Sequence, residues 1–169
     1  MRTLVRGGFR FTAPMGREVF MKKQQKRKVV KQFIAAASNY IVGRGIPAEV
    51  EGETVKCGVV MGDNGYDVSL RCDPEASRFH CDCVIRNVFP EHKRSAVVSL
   101  LTLLTKSQGA VGGSVGVHPT AGDLMWRTYC QARGVAVDAA LIHEVITVGV
   151  GHFDEMVKQV RELVAGHLP

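Results

Sequence analysis

Four consecutive side chains of metal-binding type, His80-Cys81-Asp82-Cys83, stand near the middle of the chain. The residues around them alternate between apolar and polar, which is the two-residue period of a half-buried strand. On a strand the two cysteines point to one face while His80 and Asp82 point to the other, so the four side chains cannot close one tetrahedral zinc site. We therefore expect no metal site here, and nothing else in the sequence indicates a cofactor.

The thiols form an odd set of five. They are Cys57, Cys72, Cys81, Cys83 and Cys130. The first four fall in phase with the apolar residues of their predicted strands, where an unpaired cysteine behaves as a small core hydrophobe. We therefore predict reduced, structural thiols and no disulfide framework, which fits a cytosolic or organelle-matrix protein.

The sequence contains no catalytic signature. A Cys/His nucleophilic site needs a thiol and an imidazole within hydrogen-bond reach, with a third group that orients the base. The histidines are scattered, and His143 and His152 stand beside acids on the last predicted helix, which favours surface roles. The glycine-rich stretch 109–116 lacks the Gly-Lys-Ser/Thr of a phosphate loop and the spacing of a dinucleotide fold. We assign no catalytic residue and predict that the protein is not an enzyme.

The periodicity of the sequence predicts the elements that carry these residues. A first helix spans Met21 to Val42, and three strands follow as an antiparallel meander whose first turn is Asp63-Asn64-Gly65. A second helix begins near Pro90, two strands form a hairpin, and a long last helix runs from about Asp138 to Ala165. The prediction is an α+β fold, with an antiparallel sheet of about five strands and flanking helices.

The segment from Gly112 to Gly151 also carries a family resemblance. Its ordered positions are Gly113, Val115, Val117, Pro119, Gly122, Leu124, Trp126, Arg127 and Gly134, followed by a helix with Ile142, Ile146 and Phe153. This pattern resembles the C-terminal half of the YbjN family, whose members share the fold of type III secretion chaperones. The resemblance implies a type III secretion chaperone-like fold and a protein-binding role. Glycines, apolar residues and one arginine argue for fold far better than for activity.

Positive charge is concentrated at the start of the chain. Up to Lys31 there are ten basic residues and one acid, whereas from Gln32 onward twelve basic residues face fifteen acids, which together give the net charge of +6. A charge block of this kind typically marks an interaction tail or an address. We predict that residues 1–20 form a basic N-terminal arm and that residues 21–169 form one α+β domain.

The arm bears on localisation. It is basic, amphipathic and poor in acids, as a mitochondrial transit peptide is, although a flexible basic arm of a bacterial protein has the same composition. The mitochondrial matrix is therefore the expected location, with the cytoplasm as the alternative. No apolar run approaches the roughly 18 residues that span a bilayer, so we expect no membrane span.

The second predicted helix is apolar on most of its sides. Its apolar residues are Val97, Val98, Leu100, Leu101, Leu103 and Leu104. Such a helix is buried between layers or covered by another chain, which indicates a protein partner or a homo-oligomer. We predict partner contacts at Val97, Leu100, Leu101 and Leu104. The first hypothesis is a non-enzymatic protein-binding module (a chaperone, adaptor or accessory subunit of a larger assembly) that binds through this helix or through the exposed face of the sheet.

A second hypothesis uses the basic start of the chain. In an organellar RNA- or ribosome-associated protein, basic side chains would contact phosphates without reading sequence. The candidate contacts to phosphate or to an acidic partner are Arg10, Arg17, Lys22, Lys23, Lys26 and Arg27. No aromatic residue is interleaved between Lys22 and Lys31 to stack on bases, which disfavours binding of single strands.

Overall fold

The structure, a computed structural model, describes residues 15–76, 78–89, 91–93, 95, 97–99, 101, 113–117, 122–131 and 137–166, with residues 15–23, 91 and 131 described by their backbone alone. Its elements are α1 (Met15–Gly43), β1 (Ala48–Glu51), β2 (Thr54–Met61), β3 (Asn64–Asp73), β4 (Arg78–Ile85), a 3-10 turn (Glu91–Lys93), β5 (Gly113–Val117), β6 (Leu124–Gln131) and α2 (Ala139–Ala165). Residues 95, 97–99 and 101 are helical, where the second helix was predicted.

The strands form one sheet in the order β1-β2-β3-β4-β6-β5, and every neighbouring pair is antiparallel. The predicted α+β class with an antiparallel sheet is confirmed, but the described part of the chain contributes six strands to the sheet instead of about five. The missed strand is β1, which is only four residues long and therefore too short to display a two-residue period. It pairs with β2 across a tight turn in which Gly52 takes a φ of 61°.

The hairpin turn between β2 and β3 lies two residues earlier than predicted. Met61 pairs with Asn64, so the turn residues are Gly62 and Asp63, and Asn64 already belongs to the strand. Gly62 supplies the positive φ, at 57°, as the first residue of a two-residue turn. The side chain of Asn64 is buried. The sequence therefore predicts the hairpin correctly but assigns the wrong residues to its turn.

Both long helices pack on the same face of the sheet. Helix α1 contacts β1, β2 and β3, α2 contacts β4 and β6, and the two helices contact each other. The aromatic ring of Phe33 on α1 stacks on that of Phe79 on β4, with centroids 4.7 Å apart. We call this side of the sheet the covered face. Its buried apolar strand residues are Val55, Cys57, Tyr66, Val68, Leu70, Cys72, Phe79, Cys81, Cys83, Ile85, Leu124 and Trp126. We call the other side the open face.

The helix boundaries follow from local signals in the sequence. Helix α2 begins after Asp138, whose side chain accepts a hydrogen bond from the N–H of Leu141 at 3.0 Å, and it ends at Gly166 with a φ of 79°. The predicted span of this helix is confirmed. Helix α1 begins at Met15, earlier than the predicted Met21.

A buried carboxylate joins α2 to the β2–β3 hairpin. Asp154 accepts hydrogen bonds from the hydroxyl of Tyr66 at 2.5 Å and from the Nδ2 of Asn64 at 2.8 Å, and it pairs with Lys158 at 2.8 Å. The Oδ1 of Asn64 in turn accepts from Arg161 at 2.5 Å. Burial acts to raise the pKa of Asp154, but the hydrogen bonds from Lys158, Tyr66 and Asn64 outweigh it and lower the pKa to about 2.

The low pKa of Asp154 predicts a pH-dependent loss of stability. Because the folded-state pKa lies below the ordinary value of 3.8, the ionised carboxylate stabilises the fold above about pH 4, and this contribution of about 2 kcal/mol is lost as the pH falls toward 2. Urea unfolding between about pH 6 and pH 2 measures it. Asp154→Asn should unfold at lower urea at neutral pH and lose this part of the pH dependence. Parallel pH curves for the two proteins would contradict the prediction.

Two glycines of α2 provide a second, matched test. A Cβ atom on Gly149 would lie 3.0 Å from the Sγ of Cys81 and 3.0 Å from the Cγ2 of Thr128, whereas a Cβ on Gly151 would meet no atom within 4 Å. We expect Gly149→Ala to lower the free energy of unfolding by about 1–3 kcal/mol through overpacking. We expect Gly151→Ala to raise it by up to about 1 kcal/mol through helix propensity. Equal effects of the two substitutions would show that α2 does not lie this close to β4.

Candidate protein-binding surface

The structure separates the four candidate metal ligands onto two faces of β4. Cys81 and Cys83 are fully buried on the covered face, with their Sγ atoms 3.6 Å apart, while His80 and Asp82 stand on the open face. The strand geometry predicted for this tetrapeptide is confirmed. Within the described ranges, no group of three or more His, Cys, Asp and Glu side chains could hold a metal ion.

The cysteines are free thiols in apolar surroundings. Burial raises the pKa of Cys57 and of Cys72 to about 11. The hydrogen bond with Cys83, together with burial, raises the pKa of Cys81, and burial raises that of the partly exposed Cys130. A thiol with a raised pKa is a poor nucleophile at neutral pH, because the thiolate is the reactive form.

The two histidines singled out on the last helix stand at its surface. The Nδ1 of His143 lies 2.6 Å from the hydroxyl of Tyr40 on α1, and 3.3 Å from the hydroxyl of Thr147. This contact joins α1 to α2. His152 is exposed. Both placements agree with the surface roles expected for these histidines.

One half of the open face is basic. Arg71, His80 and Tyr129 lie side by side across β3, β4 and β6. The guanidinium of Arg78 lies over the ring of Tyr129, at 4.6 Å from its centroid. Burial, followed by the charge of Arg71, lowers the pKa of His80, which favours the neutral imidazole.

Asp82 lies between two arginines in the next row of the same face. The Nε of Arg127 donates to Oδ1 at 2.6 Å and its Nη2 donates to Oδ2 at 3.0 Å, so this pair is bidentate. This hydrogen bond and the carboxylate charge raise the pKa of Arg127. The Nε of Arg71 lies 3.8 Å from Oδ2, an ion pair too long to be a hydrogen bond. We call this group, which comprises Arg71, Arg78, His80, Asp82, Arg127 and Tyr129, the basic end of the open face.

The other half of the open face is poor in side chains. Its small and apolar residues are Gly58, Val60, Gly65, Val84 and Met125, which we call the apolar end, and Asp67 lies among them in an ion pair with Arg86. The side chain of Val60 is 79% exposed. Added Cβ atoms on Gly58 and Gly65 would meet nothing within 4 Å, and two shallow depressions, of about 580 and 470 Å³, both include Gly58 in their lining.

The residues predicted on the second helix are only partly described. Val97 and Leu101 pack inside the chain's own core, with 1% and 3% of their surface exposed, whereas Val98 is 48% exposed. Leu100 and Leu104 lie outside the residues that the structure describes. The contact of these four residues with a partner stays a prediction. In the single chain, two of the four side chains are not presented at the surface.

The predicted basic contacts lie on or before α1. Lys26 forms an ion pair with Glu75 in the turn between β3 and β4, and Arg27 is exposed. Three further candidates belong to α1 and are described by their backbone alone, namely Arg17, Lys22 and Lys23. Arg10 lies outside the described residues. Contacts of these residues with phosphate or with an acidic partner stay a prediction.

The open face also contains residues that the sequence analysis did not single out. Arg71 and Arg78 were overlooked because each is an isolated arginine among strand residues. Alternation along the strands does place both on the face opposite the core. Their proximity to Tyr129 and Asp82 depends on the register between β3, β4 and β6, which the sequence does not display.

No helix in the described part of the chain is long and apolar enough to cross a membrane. The amino-acid sequence matches no protein-family model and no curated protein. Similar folds exist among solved structures. A chain of the ExsC-ExsE complex has a TM-score of 0.52 at 12% identity, with 82% of this chain and 95% of that chain covered. YbjN from E. coli has a TM-score of 0.50 at 10% identity, with 80% and 96% covered.

These likenesses concern the fold. They confirm the resemblance found in the sequence, and the chain has the α+β fold shared by YbjN and the type III secretion chaperones. At 10–12% identity the fold is all that they show, because one fold serves many functions.

The buried thiols lead to a testable expectation. Cys81→Ser should lower the free energy of unfolding by about 1–3 kcal/mol, because a hydroxyl would be buried among apolar neighbours without a good partner. Cys130→Ser is the matched control and should cost less, since Cys130 is partly exposed. Urea unfolding measures both. One equivalent of zinc in protein purified without chelator would contradict the structural role of the thiols.

Proposed function

We propose that the protein is a non-enzymatic protein-binding module, acting as a chaperone, adaptor or accessory subunit, and that the open face of its sheet is the binding surface. The observation that carries this proposal is the one-sided packing of the fold. Helices α1 and α2 both lie on the covered face, and the open face keeps exposed apolar side chains such as Val60 and Met125. Contiguous exposed apolar surface is typical of protein interaction sites.

The shape of the apolar end supports the proposal. Glycines at positions 58 and 65 leave the strands without side chains there, so a partner's side chains can approach the backbone of the sheet closely. A depression of about 580 Å³, lined by Gly58 and Val84 and also by charged residues such as Asp67 and Arg86, is large enough to accept side chains of a partner segment. Met125 and Val84 border the same region and offer apolar contact.

The chemistry of the described residues favours binding over catalysis. The cysteines with shifted pKa values are shifted toward the unreactive thiol, and His143 is engaged by Tyr40. A protein of similar fold occurs in a two-protein assembly, the ExsC-ExsE complex, which is consistent with a protein-binding role. The basic N-terminal arm supports the mitochondrial matrix as the proposed location, with the cytoplasm as the alternative.

Filling the depression tests the binding surface. The tagged full chain is used to isolate its partner from the native source, and the purified partner is then titrated calorimetrically. Gly58→Val should fold normally, because the added atoms meet open space and a β-branched residue suits a strand. It should nevertheless weaken binding by about tenfold or more, the effect of roughly 1.4 kcal/mol of lost contact.

Val60→Lys serves as a second variant, since this exposed side chain can change without disturbing the core. Gly151→Ala, on the covered side of the molecule, is the matched control and should bind the partner as the unchanged protein does. If a partner is found but binds Gly58→Val and Val60→Lys with unchanged affinity, the open face is not the binding surface. If no protein co-purifies in stoichiometric amount, the binding function itself is wrong.

A further inference from the structure

We propose that the basic end of the open face docks acidic side chains of the bound protein segment, so that the partner is an extended segment with carboxylates at one end and apolar residues at the other. This inference rests on the proposed function of the open face and specifies the chemistry of its partner. The groups that receive the carboxylates are Arg71 and Arg78, with Arg127 and Tyr129 beside them.

The first reason is an excess of hydrogen-bond donors. The Nε atoms of Arg71 and Arg78 are shielded from solvent and have no hydrogen-bond partner in the part of the chain that the structure describes. Arg127 already uses two donors on Asp82. A buried donor without an acceptor is costly, and a carboxylate is the side chain that best satisfies an arginine.

The second reason is the local balance of charge. Two guanidinium groups, those of Arg71 and Arg127, flank one carboxylate, that of Asp82, which is itself engaged in a bidentate pair with Arg127. Arg71 shares the carboxylate of Asp82 with Arg127, and Arg78 forms no ion pair within the described residues, so positive charge exceeds negative charge at the centre of the face. The nearby Asp73 points its carboxylate oxygen into its own turn, where it accepts from the N–H groups of Glu75 and Ala76. An anionic partner group would neutralise this excess.

A protein segment fits these features better than a nucleic acid does. From Gln32 onward the chain carries twelve basic and fifteen acidic residues, so the excess of positive charge that would attract a polyanion lies in the first 31 residues and not on the sheet. Asp82 would lie directly under a phosphate backbone that followed the arginines. In contrast, one or two carboxylates can bind beside Asp82 while the rest of the segment covers the apolar end.

The spacing of the two ends defines the segment further. The row of Arg71, His80 and Tyr129 is separated from the row of Asp67, Val84 and Met125 by four residues along each strand. At about 3.3 Å per residue this is roughly 13 Å, which four residues of an extended partner also span. An acidic residue and an apolar residue four positions apart therefore match the two ends of the face.

The test uses defined probes on the full chain. A fluorescein-labelled peptide containing Glu-Glu-Ser-Thr-Ser-Val-Ile is titrated with the protein by fluorescence polarisation, beside the same peptide with Gln-Gln in place of Glu-Glu and a uridine oligonucleotide of similar length. We expect the glutamate peptide to bind at least about tenfold more tightly than the other two probes at low salt, and its affinity to fall as salt rises.

Arginine variants locate the site. Arg71→Gln and Arg78→Gln should each weaken binding of the glutamate peptide by about tenfold, the loss of one charge-assisted hydrogen bond. Arg44→Gln is the matched control, because Arg44 lies over the ring of Tyr40 at 5.1 Å, as Arg78 lies over Tyr129, but stands beyond the end of α1. It should change the affinity by less than about twofold. Melting curves confirm that each variant is folded.

The side-chain Nε–Hε signals of Arg71 and Arg78 in a ¹H–¹⁵N spectrum report changes at each guanidinium group, and both should shift on addition of the glutamate peptide. Equal binding of the glutamine peptide, tighter binding of the oligonucleotide, or unchanged affinity in both arginine variants would each overturn the inference. Binding of the peptide through the basic N-terminal arm would leave the two arginine signals unmoved and would also overturn it.

The two proposals can fail separately. If the isolated partner is blocked by Gly58→Val but is insensitive to Arg71→Gln and Arg78→Gln, the open face binds protein and the acidic docking is wrong. If the partner is insensitive to Gly58→Val while the glutamate peptide still binds at the arginines, the basic end binds carboxylates and the proposed surface for the natural partner is wrong.

Discussion

The packing of both long helices on one face of the sheet is the constraint on which the rest of this structure depends. Helix α1 covers β1 to β3 and α2 covers β4 and β6, so each of the four central strands, β2, β3, β4 and β6, has one face in the core and the other facing away from both helices. The burial pattern of β4 shows the result, because its residues alternate strictly between buried and partly exposed. The thiols lie on the covered face and the charges on the open face for this single reason.

The position of α2 on the covered face is held by two different interactions. Gly149 allows the helix to lie close to Cys81 and Thr128, because it has no Cβ to separate them. Asp154, one turn further on, provides a buried carboxylate that Tyr66 and Asn64 satisfy with hydrogen bonds. Apolar contact alone would allow the helix to slide along the sheet, whereas a buried carboxylate with fixed donors favours one register.

The open face differs from an ordinary solvated sheet face in the separation of its chemistry. Arginines gather around Asp82, whereas glycines and the exposed Val60 occupy the opposite end, where the one charged pair described is Asp67 with Arg86. A solvated face typically mixes charges of both signs with small polar residues. The separation of basic and apolar surface is the reason for relating function to this face, since the fold shared with YbjN and with a chain of the ExsC-ExsE complex leaves function open.

Local patterns in the sequence determined the strand faces, the buried cysteines, the N-cap at Asp138 and the antiparallel α+β class, because each follows from residues a few positions apart. Other features depended on distant residues. The short strand β1 is recognisable only through its pairing with β2, and the turn at Gly62 differs from the predicted one because Asn64 binds Asp154, ninety positions away. The basic end likewise exists only because cross-strand register brings Arg71, Asp82 and Arg127 together, and register is set by packing of the whole sheet.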